Sequence, residues 1–295
     1  MPDRPRCIVT VRDLRAIEYC PPDGGGRVEA RVRLVSDAAG LTQHGVKVRE
    51  IPPGRAGTQL HFHDVEEEWA YVLAGHGRLM LGPHAIGVRP GHVAAFVPGP
   101  SPHHFVAEGD TPLVLLEGGE RRPGEDTCTY PGLGVRCRNG VDEPLDVAGL
   151  PTLLGNPEHV IHIDDVPEQV RPHPLSPRAV RHMRPIGKAL PLARQGISHV
   201  RLEPGIESTT YHTHDRIEEW VYVISGELDV RIGDDWLALA EGDFITHRAG
   251  SPAHLMRART LATYLMGGQS LPDDICTYPE RGMILGPNGF EKLGG

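Results

Sequence analysis

Two short stretches of the chain carry the residue types from which a metal centre is built. The first is His61-Phe62-His63, with Glu68 five residues on and His103 forty residues after His63. The second repeats it at the same offsets as His212-Thr213-His214, Glu219 and His254. On a strand alternate side chains share a face, so each His-x-His pair projects two imidazoles to one side, about 6–7 Å apart. Glu68 follows a turn and opens a strand able to pair with the first, which brings a carboxylate to the imidazoles. Three neutral imidazoles and one carboxylate suit a borderline divalent ion and leave coordination positions for water, oxygen or substrate. Fe(II) or Mn(II) is the first expectation, with Ni, Cu or Zn also compatible, at up to two ions per chain. A single His-x-His would read as two solvated histidines, but recurrence of the whole set in a diverged repeat argues for ligands. Glu66 and Glu67 are rival donors; Glu68 is preferred because it aligns with Glu219, whereas Glu66 aligns with Ile217 and reads as a solvated turn residue.

The repeat extends well beyond the donors. A shift of 151 residues aligns Gly45–His104 with Gly196–Leu255 without a gap, and 17 of the 60 pairs are identical. They include Pro53-Gly54 on Pro204-Gly205, and Glu67-Glu68-Trp69-x-Tyr71-Val72 on Glu218-Glu219-Trp220-x-Tyr222-Val223. After a short deletion Asp126-x-Cys128-Thr129-Tyr130-Pro131 returns as Asp274-x-Cys276-Thr277-Tyr278-Pro279. At the front, residues 8–14 resemble residues 160–166, which predicts an extra edge strand at the start of each unit. The organisation expected is an N-terminal domain over 1–140, a Pro-rich connector with the edge strand over 141–195 and a C-terminal domain over 196–295.

Within the first unit the spacing predicts short strands at Val46–Ile51, Thr58–His63, Glu68–Leu73, Gly77–Leu81, Val93–Val97, His104–Ala107 and Leu113–Leu116, separated by turn residues. This is the rhythm of an antiparallel sandwich or barrel, and 36 glycines with 28 prolines fit a turn-rich all-β chain. Helical turns are expected only at Leu150–Leu154, Arg178–Met183 and the C-terminal tail. Strand alternation places Gln59 and Phe105 on the inner face of the first barrel, and Thr210 and Met256 on that of the second, as candidate substrate contacts. Trp69, Tyr71, Trp220 and Tyr222 read as packing between sheets or units.

Thirty-nine acidic against 30 basic residues, spread along the chain, offer no basic stripe for a phosphate backbone or an anionic membrane. No apolar run approaches a membrane span and residues 1–10 lack the apolar stretch of a signal peptide, so a cytoplasmic location is expected. The partner expected is a small-molecule substrate, with the chain a monomer or homodimer. Cys7, Cys20, Cys128, Cys137 and Cys276 include no CxxC pair and read as reduced thiols, Cys128 and Cys276 as buried anchors of the repeated tails. His44, His76, His84, His92, His104, His199 and His247 have no repeated partner and read as ordinary surface or core histidines, His92 excepted as a residue near a pocket.

These motifs resemble the cupin superfamily, the double-stranded β-helix proteins, in its two-domain bicupin form. The family's first motif, Gly, six residues, His-x-His, four residues, Glu, six residues, Gly, is matched by residues 54–75 and 205–226. Its second motif is matched from Gly91 through Pro98-Gly99 to His103, and from Gly242-Asp243 through Ala249-Gly250 to His254. His92 and Ala249 depart from the family's usual Asp and Pro, and Ala107 and Ala258 stand where many members have Asn; none of these is a ligand position. The resemblance implies two jelly-roll-like barrels and metal ligation by His61, His63, Glu68, His103, His212, His214, Glu219 and His254. Among cupin activities it leaves open dioxygenases, isomerases or lyases, and non-catalytic binding proteins. Oxalate chemistry is set aside, because its enzymes carry an Arg three residues before the first ligand His where this chain has Thr58 and Thr209. A DNA-binding regulator is set aside for want of a helix-turn-helix. The leading expectation is a metal-dependent, dioxygenase-type oxidoreductase in which Glu68 and Glu219 supply charge and act as bases.

Overall fold

A computed structural model describes residues 4–21 and 27–294. The chain forms two similar all-β units, each a seven-stranded sheet, a three-stranded sheet and a four-stranded sheet, with antiparallel pairing between the strands. In the first unit the large sheet runs, neighbour to neighbour, Val160–His162, His92–Phe96, Glu68–Ala74, Leu113–Glu120, His44–Ile51, Ala30–Leu34 and Ile17–Tyr19. The three-stranded sheet is His103–Glu108, His76–Leu81 and His84–Val88. The second unit repeats both. Among the described residues no helix is long and apolar enough to cross a membrane, and the α-helices are the short Val35–Ala39 and Ile186–Ala189.

Alternation along the central strand explains how one segment serves two purposes. Ala70 and Val72 point into the first barrel with Leu79, Phe96 and Leu115. Trp69 and Tyr71 point the other way, into a core shared by both units that includes Val93, Ile197, Trp220, Phe244 and Leu265. Glu68 has the parity of Ala70 and so faces the barrel interior. The Trp69 and Trp220 rings stack at 5.1 Å and 16° across the junction. Each passes so close to the neighbouring strand that only glycine fits there: a Cβ on Gly118 would lie 2.3 Å from Trp69 Cζ2, and one on Gly267 would lie 2.4 Å from Trp220 Cζ2.

A reciprocal pair of buried carboxylates fastens the junction. Glu67 accepts the backbone N–H groups of Ala193 and Arg194, both at 3.0 Å, just before the strand Gln195–Leu202 of the second unit. Glu218 accepts those of Thr42 and Gln43, at 3.0 and 2.8 Å, just before His44–Ile51 of the first. Glu67 is therefore a clasp between units and not a rival ligand.

The structure corrects several expectations. Each extra edge strand joins the opposite unit: Ile8–Thr10 pairs with Asp243–His247, and Val160–His162 pairs with His92–Phe96. The expected connector over 141–195 also supplies Gln169–His173 and Ser176–Arg184 to the second large sheet, so no boundary at 195 separates the units. Arg178–Met183, expected as a helical turn, lies within the strand Ser176–Arg184, because β-pairing to Gln195–Leu202 outweighs its local pattern. Residues 151–156 are irregular, and the tail forms the hairpin Met283–Gly286 with Gly289–Lys292.

Candidate metal centres

In each unit the four expected donors meet inside the barrel. The strand expected over Thr58–His63 is shorter, with Phe62–His63 as a strand and His61 bridged singly to His103, so both imidazoles face the interior from one edge. In the first unit Glu68 Oε2 lies 3.8, 3.4 and 3.3 Å from the Nε2 atoms of His61, His63 and His103. In the second, Glu219 Oε2 lies 3.7, 3.5 and 3.3 Å from those of His212, His214 and His254.

The other ring nitrogens decide which tautomer is held. His61 Nδ1 donates to the Gln59 carbonyl at 2.8 Å and His212 Nδ1 to the Thr210 carbonyl at 3.0 Å. A carbonyl only accepts, so the proton sits on Nδ1 and the neutral ring turns a bare Nε2 lone pair toward the carboxylate. His63 Nδ1 donates to Asp126 Oδ2 at 2.6 Å, and His214 Nδ1 to Asp274 Oδ2 at 2.5 Å. This carboxylate–histidine arrangement orients a metal-ligating ring. Asp126 also accepts the N–H groups of Val65 and Glu66, which fixes it in place.

Electrostatics favour a cation at both centres. Burial opposes a charge on His63, yet Glu68 and Asp126 outweigh it and push its pKa up to about 11. Burial opposes the Glu68 charge as well, but the surrounding histidines, His63 foremost, hold its pKa well below the usual carboxylate range. The Glu219 carboxyl is held down in the same way, and His214 is raised to about 10 against its burial. A divalent cation would take the place of the proton this carboxylate pair retains, which is the behaviour of a ligand set. The donors present therefore fit a transition metal at each centre.

Five further residues take part at the centres without having been marked for it by the sequence. Asp126 and Asp274 are visible only as repeated members of the tails. Cys128 pairs across strands with His63, and Cys276 with His214, so these thiols of the repeated tails, Cys276 buried as expected and Cys128 half-buried, also face the centre beside two imidazoles. His247, expected as an ordinary histidine, stacks on His254 at 3.4 Å and 2°, in the place where Phe96 stacks on His103 at 3.6 Å and 2°. Glu66, expected in solvent, accepts the Arg122 N–H at 2.6 Å and borders the first cavity. His92 hydrogen-bonds within its own turn to Arg89 and packs edge-on against His162.

The cavities over the two centres differ. The first centre borders an inner cavity of about 40 Å³, lined by Arg49, Thr58, His103 and Phe105, and opens in addition into an outer one of about 430 Å³ bordered by His61, His63, Glu68, Lys47, Arg49 and Tyr130. The second borders a cavity of about 40 Å³ that includes Arg181, Met256, Tyr264 and Met266. Phe105 and Met256 line their cavities as expected, but Gln59 and Thr210 do not; Thr58 and Thr209 stand there instead. The backbone bends before each first histidine, so strict strand alternation fails at these positions. Thr210 hydrogen-bonds His173 at 3.0 Å.

An expected outcome concerns the outer carboxylate. Asp126→Asn is expected to weaken metal affinity at the first centre about 10–100-fold while leaving the second unchanged. Competition with a coloured chelator reads both constants; equal affinities in variant and wild type would show that Asp126 does not orient His63.

Two barrels of this topology, each with the same His/Glu cluster inside, define a bicupin. The cupin-domain family matches residues 47–118 and 198–265, one match per barrel, and the chain belongs to the cupin superfamily. No curated protein matches it in sequence. Among solved structures it is similar to a protein titled putative sugar phosphate isomerase from Acidithiobacillus ferrooxidans, 32% identical over 45% of this chain and 84% of that one, with a TM-score of 0.41. It is similar over most of its length to YlbA from E. coli, at 12% identity and TM-score 0.57, covering 89% of this chain and 90% of that one. It is likewise similar to oxalate decarboxylase from Bacillus subtilis, at 15% identity and TM-score 0.59, covering 90% and 77%. At such identities the last two likenesses concern the fold.

Proposed function

We propose that the first centre is the active site of a metal-dependent oxidoreductase of the dioxygenase type, acting on a small organic anion. The observation that carries this reading is the convergence of three imidazole Nε2 atoms on one carboxylate oxygen at the border of a cavity of about 430 Å³. Two cations, Lys47 and Arg49, stand on the wall of that cavity and share one carboxylate, Glu117, at 3.7 and 2.9 Å. Lys47 also faces Glu68, so with the Glu68 charge taken up by a bound ion it would be the cation on that wall open to an anionic group of a substrate. Arg49 is held in addition by donation to the Gly57 carbonyl at 2.7 Å, so Lys47 is the mobile member of the pair.

When bound, the ion supplies Lewis acidity and, if redox-active, one-electron chemistry. The chain's own residues do the rest. His61, His63 and His103 would hold the ion as neutral donors, with Asp126 keeping His63 in its orientation. The histidines around Glu68, His63 foremost, keep it ionised against its burial, so it is a carboxylate placed to take a proton from a substrate carbon or hydroxyl beside the ion. In the second unit Ser198 and Met266 occupy the paired register that Lys47 and Glu117 hold in the first, so that centre lacks the same cationic wall. We assign it a different role.

Oxygen uptake tests the reading. Metal-loaded protein is expected to consume oxygen in step with loss of a small hydroxy- or keto-acid substrate, and Lys47→Met to raise KM more than it lowers kcat. Turnover that persists in metal-stripped protein would overturn the proposal. Product formed at an undiminished rate under anaerobic conditions would replace it with a metal-dependent isomerase.

A further inference from the structure

We propose that Cys128 and Cys137 are a thiol pair which hydrogen peroxide closes to a reversible disulfide beside the first centre, and that the second centre has no such pair. The proposal does not depend on the activity assigned to the first centre. The four-stranded sheet of the first unit consists of Phe62–His63, Cys128–Tyr130, Val135–Arg138 and Val141–Pro144. Across it His63 lies opposite Cys128, Cys128 opposite Cys137, and Cys137 opposite Asp142. Residues opposite each other in an antiparallel pair stand on the same face, so both thiols share the face that carries the ligand His63.

Register alone brings the two sulfurs within bonding reach. Opposite Cα atoms are about 4.5 or 5.5 Å apart, according to which of the two kinds of antiparallel pair they form. Both values lie inside the roughly 4.4–6.8 Å window of a disulfide, so the crosslink asks for side-chain rotation and not for movement of the strands. Both cysteines are half-buried, Cys128 borders the outer cavity of about 430 Å³, and Cys137 lies beside the exposed edge strand Val141–Pro144. The pair is therefore open to a small oxidant. One peroxide balances the reaction. The first thiol attacks the O–O bond, becomes a sulfenic acid and releases water; the second attacks that sulfur, the S–S bond forms, the S–O bond breaks and a second water leaves. The two electrons and two protons lost by the thiols pass to the peroxide.

Comparison with the second unit sharpens the assignment. Cys276 keeps the neighbours that Cys128 has, the following tyrosine of the tail and the second histidine of the His-x-His pair. It is, however, buried at 5% exposure, and its row continues through Leu285 to Phe290 where the first unit continues through Cys137 to Asp142. A chain with so large a core needs no disulfide to stay folded, so a crosslink formed here acts as a switch and not as a staple. Its target is the centre. The Cys128 thiol meets the His63 ring and the Tyr130 hydroxyl, and closing the disulfide takes it from both. The surroundings of a ligand histidine thus change with redox state at the first centre alone.

The test treats the full chain, loaded with Zn(II), with hydrogen peroxide, alkylates the remaining thiols in denaturant and maps tryptic peptides without reduction. A crosslink between the peptides of Cys128 and Cys137 is expected, reversed by dithiothreitol, with Cys276 recovered as an alkylated thiol. Cys137→Ser is expected to lose the crosslink and to leave a Cys128 sulfenic acid that dimedone labels. The link to the centre is read in His212→Ala, expected to hold only the first ion, loaded with Co(II) and oxidised with the thiol oxidant diamide. Its visible absorption is expected to shift, to return with dithiothreitol, and to stay fixed when Cys137→Ser is added, a change that leaves every ligand in place. No crosslink in the wild type, a crosslink from Cys128 to Cys20 in its stead, or a Co(II) spectrum unmoved by complete crosslinking would each overturn the proposal.

Discussion

Protein carrying His61→Ala is expected to retain about one equivalent of divalent metal per chain where the wild type carries about two, and His212→Ala is expected to do the same. The two ions should be lost independently, because each donor set lies inside its own barrel and no residue serves both. The effect is large because the donors are few and fixed: with His61 gone, two imidazoles and a carboxylate remain, and the tautomer-setting bond from Nδ1 to the Gln59 carbonyl goes with it. Loss of an outer partner of a ligand already costs about 10–100-fold in affinity, and loss of a direct donor costs more. Elemental analysis after purification without chelator reads the result, and a double variant is expected to hold none. Only the His61 variant should also lose oxygen uptake. Two equivalents persisting in either single variant would place that metal elsewhere, while absence of metal from every preparation would remove the basis of the enzyme assignment.

The donors were legible in the sequence for a particular reason. Metal ligation fixes residue type, spacing and parity together, and duplication prints the pattern twice, so His61, His63, Glu68 and His103 stand out even where only 17 of 60 aligned positions agree. The strands around them were legible because turn residues punctuate them. Less legible was everything set by contacts between distant parts of the chain. Asp126 reaches His63 across 63 positions, and nothing local distinguishes it from a solvated aspartate. Glu67 and Glu218 are identical neighbours of the ligand carboxylates, yet opposite parity turns them to the partner unit, where they cap backbone N–H groups. The pocket residues Gln59 and Thr210 failed for a local cause. Alternation holds only while the chain is extended, and it bends at residues 57–60, so inward and outward exchange there.

Exchange of the edge strands leads to the second large effect. A chain lacking residues 1–13 is expected to lose stability in the C-terminal barrel, the one most distant in sequence from the deletion, while the N-terminal barrel keeps its metal. The segment buries Ile8 and Val11 to 4% and 6% exposure against the second unit and the junction core. Two such side chains contribute about 3–6 kcal/mol, a large fraction of the roughly 5–15 kcal/mol that separates folded from unfolded domains. Asp243, at 3% exposure, would also lose Arg4, which donates to both its oxygens at 2.9 and 2.7 Å, and the Thr10 hydroxyl at 2.6 Å. A buried carboxylate stripped of its cation adds to the loss. Deletion further bares the edge of Asp243–His247, the strand whose last residue stacks on His254. The second centre should therefore release its ion first, seen as one equivalent lost per chain and an early step in thermal unfolding. A synthetic peptide of residues 1–13 added in trans should restore both, since the missing element is an edge strand with a ready partner. If truncation left the second ion in place and the melting profile unchanged, the exchanged pairing of Ile8–Thr10 with Asp243–His247 would not be what holds that barrel closed.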